Sequence, residues 1–137
     1  MADTTIPRET KYRIMLVDDE EDITASVKMG LENKGFDVDT FTNTQEALFN
    51  FKPHYFDCII LDIRMPVMTG FHLARKIWEI NKDERICFFS AFEKYENDAF
   101  GTFMRKDFCF IKKPIGIEKL VGHINKHLSP EATAIAT

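Results

Sequence analysis

Four short apolar segments of this chain each end at a residue able to do chemistry. Ile14-Met15-Leu16-Val17 runs into Asp18 and Asp19, Phe56 to Leu61 into Asp62, Arg85 to Phe89 into Ser90, and Phe108 to Ile111 into Lys112 and Lys113. Carboxylates gathered at such positions are oxygen ligands for a hard cation, and a lysine among them is a competing positive charge. Two like charges about 4 Å apart repel by ~4 kcal/mol at an effective dielectric of ~20. Crowded together, Asp18, Asp19 and Asp62 therefore need a bound divalent cation or the Lys113 ammonium to neutralise them. Oxygen ligands without clustered His or Cys favour Mg²⁺ or Mn²⁺ over zinc.

The acids also dominate the charge balance. The 137 residues carry 22 Asp and Glu against 18 Lys and Arg, a net −4, and five of those acids are the consecutive run Asp18-Asp19-Glu20-Glu21-Asp22. Without that run, 17 acids face 18 bases, a balance of +1. The remaining surface is near neutral, which argues against a nucleic-acid face or a membrane face. No apolar run approaches the ~18 residues of a membrane span, and Met1 to Lys11 has no signal core, so a cytoplasmic protein is expected. The three cysteines, Cys58, Cys87 and Cys109, lie in apolar runs at wide spacing. They are expected as buried free thiols rather than as a disulfide or zinc framework.

The elements that position these residues follow from hydrophobic periodicity. Tyr12 to Val17 reads as a strand buried on both faces, and Ile23, Val27 and Leu31 as one side of a helix that stops near Gly35. Phe36 to Phe41 alternates as a half-exposed strand, and Asn43 with Glu46 marks the start of a short helix ending before Lys52-Pro53. A third strand, a loop from Asp62 to Thr69, and a helix through Phe71, Ala74, Ile77 and Trp78 come next. A fourth strand at Arg85 to Phe89, a helix between Glu93 and Phe103, and a fifth strand at Phe108 to Ile111 follow. A last helix carries Ile117, Leu120, Val121, Ile124 and Leu128 on one face. Strict alternation predicts a doubly wound α/β fold, a five-stranded parallel sheet with five helices, and the common flavodoxin-like order 2-1-3-4-5 is taken for its strands. In such sheets functional groups gather beyond the carboxyl ends of the strands, which unites Asp18, Asp19, Asp62, Ser90 and Lys113.

Val17-Asp18-Asp19-Glu20, Leu61-Asp62-Ile63-Arg64-Met65-Pro66 with Gly70, Phe89-Ser90-Ala91 and Lys113-Pro114 resemble the four signature segments of response-regulator receiver domains. They occur in the family's order and span about residues 11–128, leaving 1–10 as an N-terminal extension and 129–137 as a tail or linker. The resemblance implies a phosphoacceptor switch in two-component signalling, not an enzyme beyond its own Mg²⁺-dependent phosphorylation and dephosphorylation. It makes Asp62 the acceptor of a phosphoryl group from the phosphohistidine of a sensor histidine kinase or phosphotransfer protein. It assigns Mg²⁺ to Asp18, Asp19, Asp62 and the backbone carbonyl of Arg64. It pairs Lys113 first with Asp62 and then with the phosphoryl group, gives Ser90 a hydrogen bond to that group, and makes Phe110 the aromatic switch residue. The output face is that of helix 4, strand 5 and helix 5, and it is also where a homodimer is expected.

Taken singly, each residue has a plainer explanation. An acidic run before a helix is a solvated N-terminus favoured by the helix dipole, and Glu20, Glu21 and Asp22 are read that way, one or more as caps. A lone Asp at a strand end is usually a turn residue. His123 and His127, one turn apart, lack the glutamate of a zinc-protease motif and are read as a solvated face opposite the apolar stripe. Seven of the 13 phenylalanines lie between Phe88 and Phe110, and Phe92, Tyr95, Phe100 and Phe103 are candidates for an apolar partner patch. Three rival readings fit the residues less well. A haloacid-dehalogenase-type phosphotransferase wants an acid where Arg64 stands, and a nucleotide-binding flavodoxin-like protein wants glycines where the acids stand. A phosphate-independent interaction module would have lost Asp62, Lys113 or the acid pair, all of which are present.

Two features of the chain bear on the shape of helix 4 and on kinetics. The small step usual before strand 5 is replaced by Phe103-Met104-Arg105-Lys106-Asp107. In the family, residues two after the acceptor and two after the hydroxyl residue set the phosphoryl lifetime, here Arg64 and Phe92. A large apolar Phe92 is expected to obstruct hydrolytic water and slow self-dephosphorylation.

Overall fold

The computed structural model describes residues 11–91 and 109–128. In chain order these form β1 (Arg13–Val17), α1 (Glu21–Asn33), β2 (Asp37–Phe41), α2 (Thr44–Asn50) and β3 (Cys58–Asp62). Then come α3 (Gly70–Ile80), β4 (Ile86–Ser90), β5 (Cys109–Lys112) and α4 (Ile117–Leu128). The strands make one parallel sheet in the order β2-β1-β3-β4-β5, the common doubly wound order expected for it. The helix expected between Glu93 and Phe103, the patch residues Phe92, Tyr95, Phe100 and Phe103, and the departure at 103–107 lie outside the described residues. So α4 is the fifth helix of the sequence reading.

Successive strand residues face opposite sides of a sheet, and here both sides are buried. Met15, Val17, Ile59, Leu61, Ile86 and Phe88 pack with Ala47 of α2 and with Phe71, Leu73, Ala74 and Ile77 of α3. Ile14, Leu16, Ile60, Cys87, Phe89 and Ile111 pack on the other side with Leu31 of α1 and Leu120, Ile124 and Leu128 of α4. This is why the inner strands read as continuous apolar runs. Each fully buried Leu or Ile contributes about 1.5–3 kcal/mol relative to exposure. Edge strand β2 buries only Val38 well, which accounts for its polar alternation.

Local signals explain the boundaries. Gly35, at φ +100°, ends α1 in a left-handed turn in which its N–H reaches Glu32 and that of Phe36 reaches Leu31. The Asn43 side chain accepts the Glu46 N–H at 3.0 Å and starts α2. Thr69, read only as loop from the sequence, caps α3 by accepting the His72 N–H at 3.2 Å. At α1 the capping expectation fails: Glu20 is the N-cap residue but its side chain makes no cap hydrogen bond, so Glu21 and Asp22 act only through first-turn charge.

Two other expectations need correction. Cys87 and Cys109 are joined as a disulfide, and only Cys58 is a free, buried thiol among the described residues. The register explains it: Cys87 and Cys109 are directly paired across β4 and β5 with Cα atoms 4.4 Å apart, so both side chains leave the same face. Burial pushes the Cys58 thiol up to about 12. His127, assigned to the solvated side of the last helix, is instead half-buried at the edge of its apolar stripe, three residues beyond Ile124, whereas His123 is exposed. Trp78 is an edge packing residue whose indole N–H donates to the Glu84 carbonyl at 2.9 Å.

Candidate functional site

The ladder assembles the site one strand at a time. Val17 pairs with Leu61, so Asp18 emerges beside Asp62; Asp62 pairs with Phe89, and Ser90 with Lys112, so Ser90 and Lys113 emerge on the next strands. Parallel strands end together, so short polar side chains just beyond them converge at the carboxyl edge. Carboxylate oxygens of Asp18, Asp19 and Asp62 lie within 4.8 Å of one another. Asp18 and Asp62 are buried, Asp19 is exposed at the mouth, and Ser90 is buried at the end of β4.

The backbone holds the acids rigidly. Asp18 donates its N–H to the Phe41 carbonyl at 3.0 Å, and its Oδ1 accepts the Glu20 N–H at 2.9 Å. Gly70 is needed where α3 meets the end of β3: it donates to the Ile63 carbonyl at 2.9 Å, and a methyl group there would run into the Asp62 carbonyl. The loop between carries Val67 with φ +74°, a conformation unfavourable for a β-branched residue, while Met68 N–H bonds the Pro66 carbonyl at 2.7 Å.

Lys113 enters from beyond β5, its backbone N–H on the Ser90 carbonyl at 2.9 Å and a cis peptide to Pro114 following. Its Nζ lies 2.7 Å from Asp18 Oδ2 and 3.4 Å from Asp62 Oδ1. Both are ion pairs, but the shorter goes to Asp18 rather than to Asp62, the partner that the resemblance implies. Burial, then the charge of Asp18, push the Asp62 carboxyl up to about 7, against the opposing pull of Lys113. Burial lowers the Lys113 pKa, but the hydrogen bond to Asp18 and the charges of Asp62 and Asp18 outweigh it, and the net shift is upward.

One ammonium thus neutralises only part of the negative charge of three acids. An oxygen-only set with two buried members, short of one positive partner, fits a hard divalent cation such as Mg²⁺. Arg64 follows β3 as an exposed loop residue, and Phe110 is half-buried against the α2/α3 side of the sheet. Phe92 lies outside the described residues.

The family model for the response regulator receiver domain matches residues 14–125. The chain belongs to that family. Among relatives of this receiver, the transcriptional regulatory protein PrrA of Mycobacterium tuberculosis is 31% identical over 115 residues, 84% of this chain and 49% of PrrA. The response regulator ArlR of Staphylococcus aureus is 30% identical over 112 residues, 82% of this chain and 50% of ArlR. The chain spans about half the length of the curated relatives it matches. Among solved structures, the receiver resembles the Thermotoga maritima response regulator TrrA in complex with Mg²⁺ and BeF, at TM-score 0.75 and 32% identity over 85% of this chain and 99% of that one. It also resembles the non-phosphorylated receiver domain of Leptospira biflexa HemR, at TM-score 0.76 and 29% identity over 86% and 94%. The fold and the two-component receiver class predicted from the signature segments are thereby established.

Proposed function

We propose that Asp62 is the phosphoacceptor of this receiver. The observation that carries the reading is the convergence of Asp18, Asp19 and Asp62 within 4.8 Å, with Lys113 Nζ 3.4 Å from the Asp62 carboxylate. In the transfer, an Asp62 oxygen forms a bond to phosphorus as the P–N bond of a phosphohistidine breaks, and the imidazole leaves carrying a proton. The donor is a sensor histidine kinase or a phosphotransfer protein. Asp18, Asp19, Asp62 and the Arg64 backbone carbonyl would hold Mg²⁺, with Mn²⁺ as substitute; TrrA, a relative at 32% identity, was crystallised with Mg²⁺ and BeF, which supports the assignment. When bound, the ion neutralises charge on the phosphoryl oxygens.

Lys113, already between two carboxylates, moves its hydrogen bonds to the phosphoryl group. The buried Ser90 hydroxyl donates to a phosphoryl oxygen and pulls its loop inward, and Phe110 repacks. The altered surface is that of helix 4, strand 5 and helix 5 in the family's order, which meets the downstream target or a second copy. Arg64 and Phe92 tune the lifetime of the acyl phosphate. Residues 11–128 make up the domain, between the extension 1–10 and the tail or linker 129–137. With a near-neutral surface outside the acidic run, this domain itself contacts neither nucleic acid nor membrane, and it works in the cytoplasm, where ATP feeds the kinase.

The test is incubation with a small phosphodonor and Mg²⁺ followed by intact-mass measurement. One added phosphoryl group that Asp62→Asn abolishes is expected; no adduct would favour a phosphate-independent interaction module.

A further inference from the structure

On the sheet face away from Phe88, ligand atoms of Cys87, Cys109 and His127 lie within 4.8 Å of one another. They come from three elements, β4, β5 and α4, and both sulfurs are buried while the imidazole is half-buried at the domain edge. The cluster lies on the same two strands that deliver Ser90 and Lys113, three and four residues further on, but shares no residue with the carboxylate site. We propose that these three side chains form a second metal site, specific for a thiophilic ion of the Zn²⁺ or Cu⁺ class and gated by the Cys87–Cys109 disulfide.

Two sulfurs and one imidazole nitrogen are soft and borderline ligands, the reverse of the all-oxygen set around Asp62, so the two sites select different ions. Directly paired strand positions keep the two Cys side chains adjacent whether or not they are bonded to each other. Opening the bond takes two electrons and two protons from a dithiol reductant, which leaves as its own disulfide. Binding a divalent ion then releases the two thiol protons, and the neutral His127 ring supplies a nitrogen lone pair. A tetrahedral ion held by these three would take its fourth ligand from water on the half-buried imidazole side. Oxidised, the sulfurs have no thiolate to offer.

Cobalt(II) is the probe, since only sulfur ligation gives a near-ultraviolet thiolate-to-cobalt charge-transfer band. The full chain is reduced with a phosphine, freed of it under nitrogen, saturated with Mg²⁺ to occupy carboxylates, and titrated. One equivalent of cobalt giving the band is expected after reduction and none before. Cys109→Ala abolishes it, and His127→Gln, at a half-buried position, weakens binding by at least the roughly 10–100-fold that loss of a ligand's supporting partner costs. Cys58→Ala leaves it unchanged. Absence of the band in the reduced chain overturns the proposal, as does undiminished affinity in His127→Gln. Neither result touches the Asp62 reading, which is tested by mass.

Discussion

Lys113 Nζ is closer to Asp18 Oδ2, at 2.7 Å, than to Asp62 Oδ1, at 3.4 Å. The Asp18 side chain is fully buried, so its charge depends on this ammonium and on the Glu20 N–H. The proposed acceptor therefore holds the weaker share of the lysine, leaving Asp62 available to a phosphoryl group while Asp18 stays neutralised.

Lys113→Met should destabilise the Mg²⁺-free protein by about 3 kcal/mol, since it strands a buried carboxylate. Urea denaturation in chelator and in saturating Mg²⁺ measures it. The deficit should narrow with Mg²⁺, which replaces the missing charge; an equal deficit in both would sink the idea that the ion and Lys113 serve the same acids.

Asp62 contributes a pH dependence of definite sign. Its folded pKa of about 7 lies above the ordinary 3.8, so the folded state holds the extra proton in that window, and stability from this group falls as pH rises from about 4 to about 7. The full penalty is at most about 4 kcal/mol. Asp62→Asn should accordingly stabilise the Mg²⁺-free protein at pH 8 and hardly at pH 4. Mg²⁺ affinity of the native protein should rise up to tenfold per pH unit below about 7 and level off above, as read by calorimetry.

Gly70→Ala should cost about 2 kcal/mol or more, because the new methyl meets the backbone of Asp62 rather than a side chain that can yield. The same variant should accept phosphate more slowly, since the end of β3 must shift. Normal stability with normal phosphorylation would contradict the packing of α3 on Asp62.

Val67→Gly should do the reverse for stability. Val67 is 85% exposed with φ +74°, so its removal loses little burial and relieves a left-handed β-branched residue. A gain of about 1–2 kcal/mol is expected from thermal or urea unfolding.

Phe92→Ala should speed decay of the phosphorylated protein, measured after removal of the phosphodonor. An unchanged rate would show that Phe92 does not shield the acyl phosphate from water.

The parallel sheet, its two-sided burial and the convergence of Asp18, Asp62, Ser90 and Lys113 were legible from the chain alone. Apolar runs four to six residues long report burial on both faces, and parallel strands must end on one side, so residues just past those runs meet whatever the details. Capping of α2 by Asn43 was legible because it is a contact three residues away. Three things waited for the tertiary structure. That Lys113 favours Asp18 over Asp62 depends on ångström differences across 95 residues of chain. The Cys87–Cys109 bond depends on register between β4 and β5, which spacing along the chain does not encode. The place of His127 beside those sulfurs depends on the rotation of α4 against the sheet. Periodicity reports which side of an element is buried; only packing decides which atoms meet there.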